Sequence, residues 1–451
     1  MQSKGPAISL FVNVPHLHPS SDPKGECRCG FFAFRQKRSS GKSVILHTVC
    51  SRNSTSPAAV DFIIRIFFIH YMQMLSSASY SDTKPHYALL DGLRGVAALL
   101  VVCYHVFEGY AFVGGGLIET INHGYLAVDF FFMLSGFVIA YAYDDRWGKT
   151  LSLQGFARRR LIRLHPMVVM GTVLGTLTFM LQGSVQWDGT SVAFSAVLWA
   201  LLMGIFLIPA VPGGSYEVRG NGEMFPLNGP SWSLFFEYIG NLLYALVLRR
   251  LATRWLALLC AILAAALAWF TLTNVSGYGS LGVGWTLDRV NFLGGSLRML
   301  FPFTLGMLLS RVFRPVKVRG AFWFGTLLLV LLFTIPYIAG NNTLCLNGLF
   351  EMGCLVLAFP LILWLGASGN TTDALSTRIC KFLGDISFPL YIIHYPFMYL
   401  FYAWLKANNL VTLADTWQVA LGVCLWNVLL AWLLLKLYDE PVRKWLAARK
   451  G

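Results

Sequence analysis

Long apolar segments alternate with short polar connections along most of this chain, beginning near residue 89. Each segment is about as long as a helix must be to cross a bilayer, because roughly 20 residues at ~1.5 Å each span a hydrocarbon core of about 30 Å. The pattern predicts an all-α polytopic membrane protein. The candidate spans lie at 89–107, 125–143, 166–182, 193–211, 233–250, 255–273, 292–310, 321–339, 346–367, 386–406 and 417–438.

Lysine and arginine are concentrated in particular connections, which the positive-inside rule assigns to the cytoplasm. These basic stretches are 144–165, 249–254, 311–320, 378–381 and the tail 443–450. Their spacing predicts about ten transmembrane helices with both termini cytoplasmic, in a protein integral to the cytoplasmic (inner) membrane. The loop that holds Asn341 and Asn342 is expected on the outside.

One stretch breaks the alternation, because three apolar segments join the basic loops that end at Arg163 and begin at Arg249. An even number of segments must cross between two loops on the same side of the membrane. One of the three is therefore expected to be re-entrant, interfacial or fused with its neighbour. The weakest candidate is 166–182, which contains Gly171 and Gly175.

Composition agrees with a membrane protein. The hydrophobic fraction is 56%, the charged fraction is 12% and the mean hydropathy is +0.61, which exclude an ordinary water-soluble fold. The net charge of +14 resides mainly in loops and the N-terminal stretch, so no nucleic-acid partner is expected. Nine cysteines show no pair at metal-binding spacing, so no metal site is expected.

The chain divides by composition into three parts. Residues 1–85 show no sustained periodicity and are interpreted as an N-terminal extension, either disordered or lying before a true start at Met72 or Met74. Residues 86–447 form the membrane domain, and 448–451 a short cytoplasmic tail.

The first apolar segment carries two ionisable residues, Arg94 and His105. An arginine in hydrocarbon is costly unless it is paired or hydrated, so it usually marks a functional cavity. The two residues are eleven positions apart, about three helical turns, which places them on one face with a separation of roughly 16 Å. This arrangement predicts a site for a long, charged ligand whose reactive end lies deep in the bundle.

Asp129 lies among aromatic residues in the second segment, where a carboxylate requires a partner. Two interpretations remain open from the sequence. Asp129 either orients His105 in a buried His–Asp pair or forms a structural ion pair with an arginine such as Arg94 or Arg298.

Arg160 and Arg163 are one turn apart at the end of a basic loop. They either bind phosphates through bidentate hydrogen bonds or act only as a topology signal that contacts lipid headgroups. In the fifth segment, Ser233 and Glu237 begin a polar stripe on an apolar helix, next to an interfacial Trp232. Glu237 has either a functional role or a helix-packing role.

Ser387, Tyr391 and His394 share one face of a late helix, and Arg298 and Glu351 add two ionisable residues within spans. Seven ionisable groups inside one bundle exceed what packing requires, so the interior is predicted to contain a hydrated, charged site.

Several sequence elements, taken in order, resemble the acyltransferase-3 family of integral-membrane O-acyltransferases over residues 86–447. They are LDGLRG with Arg94-x10-His105, VDFFFMLSGFV, RRLIRLHP with Arg160-x2-Arg163, GPSWSLFFE through Glu237, RMLFPFTLGM from Arg298, LGDISFPLYIIHYPF through His394, and YDEPVRKW.

The resemblance implies transfer of an acyl group, usually acetyl, from cytoplasmic acyl-CoA to a hydroxyl of a carbohydrate or lipid-linked glycan acceptor at the cell envelope. On that basis His105, Asp129 and Glu237 are predicted as catalytic residues. The predicted substrate-binding residues are Arg94, Arg160, Arg163, Arg298, Trp232, Ser387, Tyr391 and His394. His105 is expected to act as a general base or to carry the acyl group itself. A multi-span transporter of an amphipathic or acidic solute is the alternative function.

Overall fold

The computed structural model describes residues 35–37, 43–45, 87–114, 122–338, 345–369 and 373–449. The chain forms two units, residues 1–69 and 70–451. In the first unit, strands β1 (Arg35–Lys37) and β2 (Ser43–Ile45) pair antiparallel, with Arg35 opposite Ile45. The predictions on Met72, Met74, Asn341 and Asn342 fall outside the described residues.

The second unit is helical, and its described part contains thirteen α-helices. They are α1 (Ala88–Val113), α2 (Ala127–Tyr143), α3 (Leu153–Leu181), α4 (Phe194–Ile205), α5 (Ser231–Leu246), α6 (Thr253–Leu272), α7 (Arg289–Val312), α8 (Ala321–Thr334), α9 (Leu346–Gly353), α10 (Phe359–Ser368), α11 (Ala374–Asn408), α12 (Leu413–Leu434) and α13 (Glu440–Ala448). Short 3-10 helices cover His123–Leu126 and Leu248–Arg250. Single π-helical turns, Cys354–Ala358 and Leu435–Asp439, join α9 to α10 and α12 to α13.

The prediction of an all-α polytopic membrane protein is confirmed. Eight helical segments of the described residues are long and apolar enough to cross a membrane, and α4 and α8 are shorter apolar helices. The 35-residue α11 packs along α1 and also contacts α3 and α12.

The sequence-based choice of 166–182 as the non-spanning segment is wrong. These residues belong to α3, whose 29 residues are long enough to cross, whereas α4 has 12 residues and extends only about 18 Å. Gly171 and Gly175 do not weaken α3. They let the connection between α4 and α5 approach this helix closely at Leu227 and Asn228. A Cβ at Gly175 would lie 1.8 Å from the carbonyl oxygen of Leu227, and one at Gly171 would lie 2.5 Å from Nδ2 of Asn228.

Two tightly packed helix pairs position the interior polar residues. The first pair is α1 with α11, and the second is α2 with α7. Small residues let helices approach closely in membranes, where packing and hydrogen bonds hold them together. In the second pair, Gly136 faces the carbonyl of Phe303 and Gly306 faces the carbonyl of Met133, with no room for a side chain at either glycine.

Candidate active site

The pairing of α1 with α11 brings the predicted polar residues of both helices into contact at two levels. At the first level, Nε of Arg94 donates to Oγ of Ser387 at 2.8 Å and Nη2 donates to the carbonyl of Gly384 at 3.3 Å. Arg94 also forms an ion pair with Asp91 at 3.0 Å. This guanidinium is therefore fixed between the two helices.

At the second level, about three turns along the helix axis, His105 meets His394. The centroids of the two imidazole rings are 5.1 Å apart. His394 is fully buried, its Nδ1 donates to the carbonyl of Tyr391 at 2.8 Å, and no hydrogen-bond partner among the described residues reaches its Nε2. The polar face of α11 that carries Ser387 and His394 therefore contacts the polar face of α1 at both levels.

The carboxylate beside His105 is Glu108, a residue that the sequence reasoning missed. Its Oε2 lies 2.6 Å from Nδ1 of His105 and also accepts from the hydroxyls of Tyr395 at 3.0 Å and Tyr402 at 2.9 Å. Tyr104 donates to Oε1 at 3.3 Å. This network fixes Nδ1 as the side of the ring that faces the carboxylate and leaves Nε2 for a substrate.

The prediction that Asp129 orients His105 is wrong, and the alternative of a structural pair with Arg298 is the one observed. Arg298 Nη2 lies 2.6 Å from Asp129 Oδ2, and Nε lies 3.1 Å from Oδ1, with both side chains almost fully buried. The remaining donors of Arg298 bind the carbonyls of Val283 and Tyr125. Trp232, 5.2 Å from this guanidinium, covers it. Arg298 is thus held in place by the protein itself, and it also lines the cavity that contains His105, so its predicted role in substrate binding stays a prediction.

A first cavity, here called the Arg cavity, is lined by Arg94, Arg160 and Arg163. Arg160 is buried and bonded to Glu237 at 2.7 Å, whereas Arg163 is exposed and no carboxylate among the described residues is paired with it. Glu237 also accepts from Ser135 at 2.9 Å. Glu237 lines the Arg cavity and His105 does not, so the structure does not bring these two predicted catalytic residues together.

A second cavity, here called the His cavity, is lined by His105, Glu108 and several aromatic side chains. Three indoles contribute, two of them from connections between helices: Trp187, Trp232 and Trp285. Glu223, from the connection between α4 and α5, also lines it, accepting hydrogen bonds from Tyr399 and Asn221. Burial raises the pKa of Glu223 to about 7.

Glu351 belongs to a separate, structural network. It is fully buried and accepts from the hydroxyl of Tyr125 and the amide of Leu281, and Tyr125 in turn is bonded by Asn347. Across the described part of the chain, no group of three or more His, Cys, Asp or Glu side chains is arranged to hold a metal ion.

The sequence match to known proteins covers the same region as this site. Residues 87–436 match the acyltransferase-3 description, "Acyltransferase domain". The chain belongs to the acyltransferase-3 family. It is therefore a membrane acyltransferase, and the alternative of a transporter is set aside.

Three relatives illustrate the range of the family. The chain is 33% identical over 173 residues to "Protein 2 in picA locus" of Rhizobium radiobacter, covering 37% of this chain and 84% of that protein. It is 26% identical to acyltransferase MdmB of Streptomyces mycarofaciens, covering 73% of this chain and 83% of MdmB. It is 24% identical to peptidoglycan O-acetyltransferase OatA of Listeria monocytogenes, covering 79% of this chain and 55% of OatA. No solved structure matches the chain.

Proposed function

We propose that this acyltransferase moves an acyl group, acetyl in the simplest case, from acyl-CoA to a hydroxyl of a carbohydrate-containing acceptor such as a surface polysaccharide. The observation that carries the proposal is the arrangement along α1 and α11. Cationic groups line one cavity and a histidine–carboxylate pair lines the other. Arg94 in the first and His105 in the second are about three helical turns apart. An elongated donor with phosphates at one end and a thioester at the other fits that arrangement.

In this proposal the Arg cavity opens to the cytoplasm and receives the phosphate end of the donor. Arg163 is the main phosphate ligand, because it is exposed while Arg160 is already bonded to Glu237. A planar guanidinium can bind two phosphate oxygens at once. Arg94, held by Ser387 and Asp91, adds positive charge farther along the path of the donor.

Replacing Arg163 by Ala tests donor binding. We expect a rise in the donor KM of about tenfold or more, with a smaller change in kcat, because a charge-assisted phosphate contact is lost. Arg163→Lys should recover little, since an ammonium cannot reproduce the planar fork. The measurement is transfer kinetics together with the protection of purified protein by coenzyme A against thermal unfolding.

The neighbouring Arg159, on the same basic turn but not among the residues lining the Arg cavity, provides the matched control. Unchanged coenzyme A protection in the Arg163→Ala protein would leave Arg163 as a topology signal only.

His105 is proposed to act as the general base in the His cavity. Its Nε2 accepts the proton of the acceptor hydroxyl while that oxygen attacks the thioester carbonyl carbon. The new C–O bond forms, the C–S bond breaks, and the proton passes from His105 to the departing thiolate, so that the imidazole returns to its starting state. Glu108 stabilises the transient imidazolium and holds the ring in position.

Replacing Glu108 by Gln tests that pairing. Gln keeps one oxygen that can accept from tyrosine hydroxyls but removes the negative charge beside the imidazolium, so we expect kcat to fall by about 10²-fold, with donor KM nearly unchanged. Glu223→Gln, in the same cavity but bonded to Tyr399, is the matched control, and an equal loss in both proteins would argue against a specific partnership with His105.

The aromatic walls of the His cavity support a carbohydrate-containing acceptor. Indole and phenol rings supply flat apolar faces with polar edges, which complement a sugar ring bearing hydroxyls on its rim. Peptidoglycan O-acetyltransferase OatA is one of the relatives, and its name agrees with an acceptor of this class. Comparison of surface glycans from wild-type and deletion strains by mass spectrometry would identify the acceptor, and loss of O-linked acyl groups is the expected result.

A further inference from the structure

The Arg cavity and the His cavity share part of their lining. Of the residues that line either cavity, Val128 on α2 and Tyr391 on α11 line both. We call this pair the neck. Both side chains are largely buried, with exposed fractions of 6% for Val128 and 7% for Tyr391, so they lie in the interior where the two cavities adjoin.

The position of Tyr391 along α11 is what makes it a boundary. It lies between Ser387, which is bonded to Arg94 in the Arg cavity, and His394, whose ring contacts His105 in the His cavity. A donor that extends from the arginines to His105 along α1 must therefore pass Tyr391.

Neighbouring groups hold the Tyr391 ring in place. The Tyr391 hydroxyl lies 2.7 Å from Oγ of Ser233. Because the Ser233 hydroxyl donates to the carbonyl of Pro230 at 2.9 Å, Tyr391 is the donor to Ser233. The ring of Phe131 packs edge-on against Tyr391 at a centroid distance of 5.3 Å. Because the Tyr391 ring is hydrogen-bonded through its hydroxyl and packed against Phe131, it keeps one orientation. The space between the two cavities beside this ring therefore has a fixed width.

We propose that the neck is the passage through which the acyl thioester reaches His105, and that its width selects short, unbranched acyl groups over branched ones. This inference rests on the proposed transfer from acyl-CoA. It concerns the width of the acyl group because the β-branched side chain of Val128 and the ring of Tyr391 line both cavities. A difference of one or two methyl groups at such a wall changes kcat/KM by about 10- to 200-fold.

The test compares three valine-to-alanine variants that remove the same atoms at different depths. Val128 is in the neck, Val138 lines the Arg cavity alone, and Val101 lines the His cavity alone. The measured quantity is the ratio of kcat/KM for isobutyryl-CoA to that for acetyl-CoA. We expect Val128→Ala to raise the ratio by about tenfold or more, and Val138→Ala and Val101→Ala to change it by less than about twofold.

A second neck variant keeps the test decisive if Val128→Ala is poorly folded. Tyr391→Phe retains the ring and removes its bond to Ser233, so the ring is free to swing and the isobutyryl ratio should rise. The control is Ser231→Ala, which removes a buried hydroxyl at the start of α5, the helix that carries Ser233. Ser231 lines neither cavity, so this variant should leave the ratio unchanged.

The outcomes separate the two proposals. A wild-type protein that transfers nothing from acetyl-CoA would overturn the proposed function itself. A wild-type protein that transfers acetyl groups, with neck variants whose ratio equals that of the wild type or of the control variants, would overturn the neck inference alone.

Discussion

The His105→Ala protein is expected to lose acyl transfer by at least the 10²–10⁴-fold that a general base usually contributes. A larger loss is expected only if the imidazole also carries the acyl group as an intermediate. The protein should still insert and bind coenzyme A, because His105 lines the His cavity and the arginines line the other one. The measurement is acceptor acylation per unit of folded protein, with coenzyme A protection recorded in parallel.

His105→Gln is the sharper variant, because its amide can still donate to Glu108 but cannot accept a proton from an alcohol. It should be as inactive as the alanine variant. His394→Ala should reduce transfer much less, since His394 lines neither cavity, although its ring supports that of His105. Near-normal transfer by the His105→Gln protein would rule out general-base catalysis by this residue.

The Asp129→Ala protein is expected to fail through stability and not through chemistry. Removing the carboxylate leaves the buried guanidinium of Arg298 without its counter-charge, and breaking a buried pair in this way typically costs about 3–5 kcal/mol. The thermal unfolding temperature in detergent and the yield of folded protein should both fall markedly.

The double variant Asp129→Ala/Arg298→Met should recover part of that stability, because it removes the unpaired charge and fills the space with an apolar chain. If Asp129 takes no part in the reaction, the folded double variant should retain transfer activity. If Asp129 were catalytic, that activity would be lost even in the folded protein. An Asp129→Asn protein of normal stability with a displaced pH profile would instead restore the catalytic interpretation.

The helices were predictable because the bilayer itself sets their length and composition. Arg94 and His105 were placed correctly on one helix face, and Ser387, Tyr391 and His394 on another, since helical periodicity alone determines such faces. Periodicity does not determine which faces meet. The partner of Asp129 therefore stayed open between His105 and two arginines until the packing of α2 on α7 was known.

Glu108 was missed although a signal existed. It follows His105 by three positions, the spacing at which helical side chains interact, and it lies just beyond the predicted span 89–107. Glu223 carried no such signal. It reaches the His cavity because the connection before α5 folds onto α3 at Gly171 and Gly175, a long-range contact that local sequence does not encode.

The shortness of α4 has a consequence for the surrounding lipid. A helix of 12 residues covers about 18 Å of a hydrocarbon layer about 30 Å thick, so the bilayer beside it must thin or leave one leaflet unmatched. Large apolar side chains on α4, including Phe194, Leu198 and Trp199, are exposed and available to contact acyl chains at that depth. The enzyme is thus expected to deform the annular lipids beside α4, and its activity should respond to acyl-chain length in reconstituted membranes.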